Sequence, residues 1–343
     1  MDDRTVHLLS AGTVLPGPAI DTAAVAAYFG MPTAWEQWVD AFVGTRRRHL
    51  VVDLGTGEAR HQLEDIAAQA ARRALDAAGL GAADVDVVVM ATSTPDHLMP
   101  ATVNMVAQRL GIDQVPAYQL QSGCTGAVQA LEVARSLLLA GAGRTALVIG
   151  GDVCAKHLDL GMNLNELPPA QQVGVMLFGD GAGAAVLAVE PSSGSAVLRR
   201  TLVRLVGLDR PPGHTVEWFG LADRYADLSA GHEDYAAIQK LVPGMAAEVL
   251  GELLDGLGWR HDEVDYLLPP QLSGRMTEQI VAGLEAPAAQ EVSCVAETGN
   301  TGNALPFFQL ESVLPLMAEG DRAVGLTIES SKWIKAGFAL ERV

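Results

Sequence analysis

The stretch Val85-Asp86-Val87-Val88-Val89-Met90-Ala91-Thr92 is apolar at nearly every position. Such a run is typical of a strand buried on both faces, as in a parallel sheet with helices above and below it. The unit that contains its start, Ala82-Ala83-Asp84-Val85-Asp86-Val87, has a counterpart in the second half of the chain, His261-Asp262-Glu263-Val264-Asp265-Tyr266. The two stretches predict an internal duplication of one helix–strand unit.

Outward from these two strands, helical and strand patterns alternate along the chain. Long helices are predicted over residues 62–80 and 235–257, each preceding one of the two related strands. Residues 173–187 are predicted as two strands joined by a tight turn. No low-complexity linker interrupts the pattern, so we predict an α/β protein of two duplicated halves, residues 1–172 and 173–343, fused into one body.

Composition excludes several classes of function. Acidic side chains number 41 against 23 basic ones, a net charge of −18, which argues against a nucleic-acid-binding or anionic-lipid-binding surface. The three cysteines, Cys124, Cys154 and Cys294, lack metal-ligand spacing and indicate a reducing compartment. The sequence also shows no signal peptide and no apolar run of about 20 residues. We therefore expect a cytoplasmic protein with no metal and no membrane contact.

Cys124 is the strongest candidate for chemistry. Glycines lie on both sides of it, in Gly123-Cys124-Thr125-Gly126, between a short predicted strand at 117–121 and a helix at 127–139. A thiol at a helix N-terminus meets unpaired amides and a positive dipole end, which are expected to lower its pKa and to hold an oxyanion. The alternative interpretation is a small buried residue at a strand–helix turn. Position alone does not decide between the two.

Several stretches together resemble the beta-ketoacyl-acyl carrier protein synthase III enzymes of the thiolase superfamily. These are Gly12-Thr13-Val14-Leu15-Pro16, Gln121-Ser122-Gly123-Cys124-Thr125-Gly126-Ala127, Leu177-Phe178-Gly179-Asp180-Gly181-Ala182-Gly183 and Thr298-Gly299-Asn300-Thr301-Gly302-Asn303. The resemblance implies a five-layered αβαβα fold. It also implies ping-pong thioester chemistry, with Cys124 as the acylated nucleophile and Asn300 as a ligand of the malonyl thioester, beside a His.

The chain departs from the family pattern at two places. The family His corresponds to Pro270, which offers neither a side-chain donor nor a backbone N–H, and a shift of one residue offers only the neutral Gln271. Near the C-terminus, Glu329-Ser330-Ser331-Lys332-Trp333-Ile334 stands where the family carries glycines. Ser331 and Lys332 are thus altered family positions, and Lys332 and Trp333 are expected to bring charge and bulk into space that the family keeps open.

Three further positions match family residues that bind the carrier protein or the pantetheine of the donor: Trp38, Arg46 and Arg275. Phe42 stands where the family has an arginine beside the tryptophan, which weakens the expectation for coenzyme A. Substitutes for the missing His are sought in His97, His157 and Glu297, although isolated residues of these types are more often structural. Cys154 and Cys294 are interpreted as small core residues.

Three functions follow, in this order. The first is an acyltransferase that takes an acyl group from an acyl carrier protein or coenzyme A thioester and passes it to a hydroxyl, amine or thiol of a small-molecule acceptor in secondary metabolism. The second is decarboxylative condensation with a malonyl thioester, and the third is a non-catalytic partner subunit. The resemblance further implies a homodimer with residues 117–121 at its interface and no permanent cofactor. Pocket walls are expected on loops 158–170 and 208–232.

Overall fold

Ten strands lie side by side in one sheet in a computed structural model of the chain, which describes residues 4–218, 225 and 231–343. The first five are β1 His7–Val14, β2 Val87–Ala91, β3 Ala117–Leu120, β4 Thr145–Asp152 and β5 Gly181–Ala188. The second five are β6 Ala196–Leu205, β7 Tyr266–Leu268, β8 Gln290–Glu291, β9 Arg322–Glu329 and β10 Ile334–Arg342. Two-residue and three-residue strands elsewhere pair as Ile20–Asp21 with Arg47–Arg48 and His214–Val216 with Gly231–Glu233.

The two sets of five strands have the same order. The sheet runs β8-β7-β9-β10-β6-β1-β5-β4-β2-β3. When the strands are numbered within each half, both halves have the order third, second, fourth, fifth, first from the edge of the sheet to its middle. In each half the second strand is parallel to its two neighbours and the fifth is antiparallel to both of its own. The predicted duplication is confirmed.

The register shows why the repeated aspartate occurs. Val87 on β2 lies opposite Ala146, and Tyr266 on β7 lies opposite Ala323, so Val87 and Tyr266 are equivalent positions. The aspartate before each accepts a hydrogen bond from the backbone at the start of the neighbouring strand, Asp86 from Thr145 at 3.0 Å and Asp265 from Arg322 at 2.8 Å. The motif therefore fixes the register of two parallel strands in both halves.

The strands of the two halves form two layers, and helices form three more, one between them and one on each outer side. The helices are α1 Thr22–Phe29, α2 Thr33–Phe42, α3 Leu63–Ala78, α4 Thr102–Leu110, α5 Gly126–Leu139, α6 Pro169–Leu177, α7 Tyr235–Leu257, α8 Gly274–Gly283, α9 Val295–Thr298 and α10 Leu305–Val313. One core packs α3 and α4 on the first half's sheet, and another packs α7 and α8 on the second half's sheet. A central core holds α5 and α10 between strands of both halves. This is the five-layered αβαβα arrangement that the resemblance implied.

One predicted strand is a helix instead. Residues 169–177 form α6, because Pro169 suits the first helical turn and the apolar side chains Met176 and Leu177 bury against α1 and α2. The strand predicted after it is present as β5. The boundary predicted after residue 172 falls within α6, and we propose residues 189–195, between β5 and β6, as the junction of the two repeats. None of the described helices is long and apolar enough to span a membrane.

Candidate active site

A cavity of about 1260 Å³, here called the thiol cavity, is lined by residues from both halves of the chain. Cys124 lines it together with five of the residues singled out in the sequence: Pro270, Gln271, Asn300, Ser331 and Lys332. Residues from both predicted wall loops also contribute, although 219–224 and 226–230 of the second loop lie outside the described residues. The structure thus brings residues distant in sequence to one site.

Local backbone geometry sets Cys124 at the entrance to the central helix α5. The chain leaves β3 and turns through the 3₁₀ segment Gly123–Thr125 before α5 begins at Gly126. Gly123 has φ +54°, a left-handed conformation that side chains disfavour, and a Cβ there would overlap the carboxylate of Glu329. The glycine before the cysteine is therefore required by this turn.

Glu329, the last residue of β9, is the neighbour of this turn that the sequence analysis missed. The backbone N–H of Cys124 donates a hydrogen bond to Glu329 Oε2. The backbone N–H of Ser331 donates to Oε1 at 2.6 Å, and the side chain is only 3% exposed. The amide that was expected to hold an oxyanion is therefore occupied by a buried carboxylate.

The acidity of the thiol differs from the prediction. Burial raises the pKa of Cys124 well above its ordinary value, and the nearby carboxylates of Glu329 and Asp152 raise it further. The expectation that the helix N-terminus lowers this pKa is wrong, because it counted the dipole of α5 but neither the burial of the thiol nor the acidic groups brought in by other strands. The thiol form, rather than the thiolate, is the resting state that this environment favours.

The opposite wall combines an asparagine with a proline and a glutamine. Asn300 is 1% exposed, and its Oδ1 accepts the Gly302 N–H at 3.0 Å. Gln271 Oε1 accepts two backbone N–H groups, from Cys294 at 2.6 Å and Val295 at 2.8 Å. Among the described residues, the buried Gln271 Nε2 has no hydrogen-bond partner. Pro270 supplies no donor between them.

The altered C-terminal turn does not fill the cavity with its tryptophan. Trp333 is 1% exposed, lies in the core beneath α7, and donates its indole N–H to the Pro211 carbonyl at 2.7 Å. Lys332 lines the cavity, while its ammonium donates to the Arg210 carbonyl at 2.8 Å. The expectation that Trp333 crowds the site is wrong, since its side chain packs in a core of the second half and is not among the residues that line the cavity.

The candidate substitutes for the missing His separate clearly. His157 lines the thiol cavity, but Glu297 pairs with Arg46 at 2.5 Å on the surface, and His97 is not among the residues that line it. The structure adds His214, which lies 3.8 Å from Glu233 in the cavity wall. No motif surrounds His214 in the sequence, and only the pairing of its short strand with Gly231–Glu233 reveals it.

The two remaining cysteines differ from each other. Cys154 lines the thiol cavity and is only partly buried, so it is not the core residue that was expected; Val153 separates it from the end of β4. Cys294 lies before α9, and burial raises its pKa to about 11. Cys124 and Cys154 therefore both line the thiol cavity, and a labelling experiment has to distinguish these two thiols.

The three residues matched to carrier binding lie outside the lining of the thiol cavity. Trp38 packs against Phe42 on α2, with ring centroids 6.2 Å apart. Arg275 donates to the Ala41 carbonyl at 3.1 Å and pairs with Glu278 at 2.9 Å. Arg46, paired with Glu297, and Arg275 therefore both form ion pairs within the chain, and their role toward a carrier stays a prediction.

Comparisons with known proteins agree with this geometry. The family model described as 3-oxoacyl-[acyl-carrier-protein (ACP)] synthase III matches residues 118–203, the segment that contains Cys124. Beta-ketoacyl-[acyl-carrier-protein] synthase III 3 of Streptomyces coelicolor is 34% identical over 313 residues, covering 88% of this chain and 86% of that protein.

Two solved structures extend the likeness to nearly the whole chain. AbyA1, described as a tetronic acid condensing enzyme, is 61% identical with a TM-score of 0.96, over 98% of this chain and 100% of that one. The 3-oxoacyl-(acyl carrier protein) synthase III of Pseudomonas aeruginosa PAO1 is 27% identical with a TM-score of 0.83, over 99% and 98%.

Proposed function

Because the chain belongs to the beta-ketoacyl-[acyl-carrier-protein] synthase III family, we propose that it is an acyltransferase working through an acyl-Cys124 intermediate. The donor is a thioester of an acyl carrier protein or of coenzyme A. Cys124 takes the acyl group and passes it to a nucleophile of a second substrate without loss of CO₂. The carrier, the acceptor and a homodimeric state are parts of this proposal.

The observation that carries the proposal is the placement of Cys124 and Pro270 in one cavity. A cysteine at the start of a central helix suits thioester exchange, in which one thiol replaces another. Decarboxylation of a malonyl thioester needs a donor for the enolate oxygen, and proline provides none. The site therefore supports acyl transfer better than decarboxylative condensation.

The 61% identical tetronic acid condensing enzyme supports a particular kind of acceptor. A tetronic acid is a five-membered lactone, so its ring contains one ester bond. One ring carbon lies between the ester carbonyl and a second carbonyl carbon that is present as its enol. Its assembly from two thioesters requires acyl transfer to a hydroxyl and attack by a carbon already acidified by two carbonyls. Neither step releases CO₂. We therefore propose that a hydroxyl accepts the acyl group, with an amine or thiol as less favoured acceptors.

A second candidate is decarboxylative condensation, which Asn300 and Gln271 favour. Both line the thiol cavity, and the buried Nε2 of Gln271 lacks a partner among the described residues. An amide N–H is a neutral donor for an enolate oxygen. Release of CO₂ from a malonyl thioester by the protein would select this function over the first.

The edge strand supports the proposed dimer. β3 ends the sheet and Tyr118 on it is 43% exposed, so among the described residues no strand pairs with its outer side. A second copy pairing along β3 would satisfy that edge. The molecular mass in solution tests this part separately.

Intact-protein mass spectrometry tests the main proposal. The protein is incubated with a panel of acyl-coenzyme A and acyl-carrier thioesters, and we expect a mass gain equal to one acyl group. Cys124→Ala should abolish the gain. Cys154→Ala is the matched control, since its thiol lines the same cavity, and it should keep the gain; a gain lost only in Cys154→Ala would contradict the assignment.

A further inference from the structure

A carboxylate lies against the cysteine turn where the family would place no charge. Resting on the acyl-enzyme proposed above, we propose that Glu329 is the general base of this site. It takes the proton of the Cys124 thiol during acylation and the proton of the acceptor hydroxyl during transfer. Glu329 is thus a catalytic residue that the family pattern does not supply.

The contacts of Glu329 hold its carboxylate against the turn that carries Cys124. Both oxygens are anchored by backbone donors, Oε2 by the Cys124 N–H and Oε1 by the Ser331 N–H. The carboxylate is therefore held against the backbone of the residue that carries the thiol, and its charge raises the pKa of that thiol. Its Cα is fixed in the β9–β10 hairpin, where Glu329 lies opposite Ile334.

Space and lone pairs remain for the chemistry. Gly123 lacks the Cβ that would overlap the carboxylate, so the acid can lie directly against the cysteine turn. An ionised carboxylate has about four acceptor sites, and the backbone occupies two of them here. Glu329 also lines the thiol cavity, so an incoming substrate reaches the unoccupied side.

The proposed steps balance. In acylation, Glu329 takes the thiol proton while sulfur attacks the donor carbonyl; the carbon–sulfur bond to pantetheine breaks, and Glu329 returns the proton to the departing thiolate. In transfer, Glu329 takes the proton of the acceptor hydroxyl while oxygen attacks acyl-Cys124. The bond to Cys124 breaks, and the proton returns to the cysteine sulfur.

Proton transfer also frees the amide that an oxyanion needs. A hydrogen bond to an ionised acceptor is roughly twice as strong as one between neutral groups. Once Glu329 is protonated, it holds the Cys124 N–H less strongly, and that amide becomes available to the oxygen of the tetrahedral intermediate. The carboxylate thus couples removal of the thiol proton to exposure of the oxyanion donor.

Other charged groups near Cys124 also influence how the ionisation of its thiol depends on pH. Asp152 at the end of β4 and Glu233 in the hairpin act on the thiol in the same direction as Glu329. His157, His214 and Lys332 line the same cavity. None of these side chains makes a hydrogen bond with Cys124 among the described contacts, whereas Glu329 accepts the Cys124 backbone N–H.

The test compares two reactions of the same thiol in wild type and Glu329→Gln. Acylation is followed by rapid quench and intact mass, and alkylation by iodoacetamide is followed over a range of pH. We expect Glu329→Gln to slow acylation by about 10²- to 10⁴-fold, the usual contribution of a general base. Alkylation should instead become faster at neutral pH, because removing the carboxylate charge lowers the pKa of Cys124.

Opposite signs in the two assays distinguish a base from a structural residue. Glu329→Asp keeps the negative charge but moves it one methylene group further from the cysteine turn. Its alkylation profile should therefore stay near wild type, while acylation falls by less than in Glu329→Gln. Glu190→Gln, at an exposed ion pair with Arg144, controls for loss of a surface charge and should change neither. Thermal denaturation checks the folding of each variant.

Two results would overturn the proposal: acylation of Glu329→Gln within threefold of wild type, or a parallel loss of acylation and alkylation in a folded variant. If the wild type forms no acyl-enzyme with any donor, the proposed function fails. The alkylation profiles still report in that case whether Glu329 controls the thiol.

Discussion

The two halves of the molecule build the same turn and use it differently. Each fourth strand ends in an acid, Asp152 on β4 and Glu329 on β9. Each acid accepts the backbone N–H of the residue that follows a left-handed glycine at the start of a central helix. Both contacts cross between the halves: Asp152 of the first half accepts from Asn303 after Gly302 of the second, and Glu329 of the second accepts from Cys124 after Gly123 of the first.

The difference lies in the remaining acceptor sites. Asp152 takes five hydrogen bonds: from the hydroxyls of Thr92 and Thr94, from the Ser93 N–H, and from the backbone and side chain of Asn303. The register makes Gln271, Leu272 and Ser273 the equivalents of these three β2-end residues. Their side chains donate nothing to Glu329, which keeps two backbone donors only.

The comparison shows that a carboxylate bound to the backbone N–H of such a turn can serve two purposes. A fully satisfied carboxylate holds a turn in place and does no chemistry, whereas the same group with open acceptor sites beside a thiol can exchange protons. We therefore expect changes in the Asp152 turn to affect the free energy of unfolding, and changes in the Glu329 turn to affect acylation.

Adding a methyl group to each glycine should separate the two turns most strongly. Both glycines have φ +54°, where alanine costs about 1–2 kcal/mol. Gly302→Ala should lose about 3–5 kcal/mol in all, because the new Cβ overlaps an Asp152 that five hydrogen bonds immobilise. Gly123→Ala should lose about 2–3 kcal/mol, since Glu329 can swing into the cavity, but acylation should fall at least about 100-fold.

Urea denaturation midpoints and the acylation assay measure both effects. Equal losses of stability in the two alanine variants would show that Glu329 is held as rigidly as Asp152. The distinction between the turns would then be lost.

Neutralising each acid is the next largest expected effect. Asp152→Asn leaves buried donors without an acceptor, and each such donor costs about 1–3 kcal/mol, so we expect a loss of about 2–4 kcal/mol. Glu329→Gln retains one acceptor oxygen for its two amide donors and should cost about 1 kcal/mol. A larger loss of stability in Glu329→Gln than in Asp152→Asn, measured under the same conditions, would contradict the comparison.

The sequence predicted much of the fold and only part of this site. The repeated Asp86 and Asp265 identified the duplication because they act locally, on the register of adjacent strands. The turn of Cys124 was also predicted, since its glycines adjoin it. Glu329 was missed because it lies 205 residues from Cys124 and follows no motif. One signal was present: an acid ends an otherwise apolar strand in both halves.

The prediction for the thiol failed for a related reason. Sequence places Cys124 at a helix N-terminus, an effect confined to its own segment. Ionisation is opposed first by burial and then by carboxylates from β4 and β9, and both depend on the tertiary fold. Pro270 illustrates the converse. Its chemistry could be judged from the residue alone, whereas its role as the replaced family position stays a prediction.

Removing single polar groups should give the smallest effects and sharpen the comparison further. Thr92→Val deletes one of the five donors to Asp152 and should lower the free energy of unfolding by about 1 kcal/mol, with acylation within twofold of wild type. Ser331→Ala is the matched variant at the other turn. Glu329 uses the backbone N–H of Ser331 rather than its hydroxyl, so both stability and acylation should be unchanged within about 0.5 kcal/mol and twofold. A drop in acylation for Ser331→Ala would mean that the hydroxyl itself takes part in the chemistry, and the contacts of Glu329 would no longer account for the site.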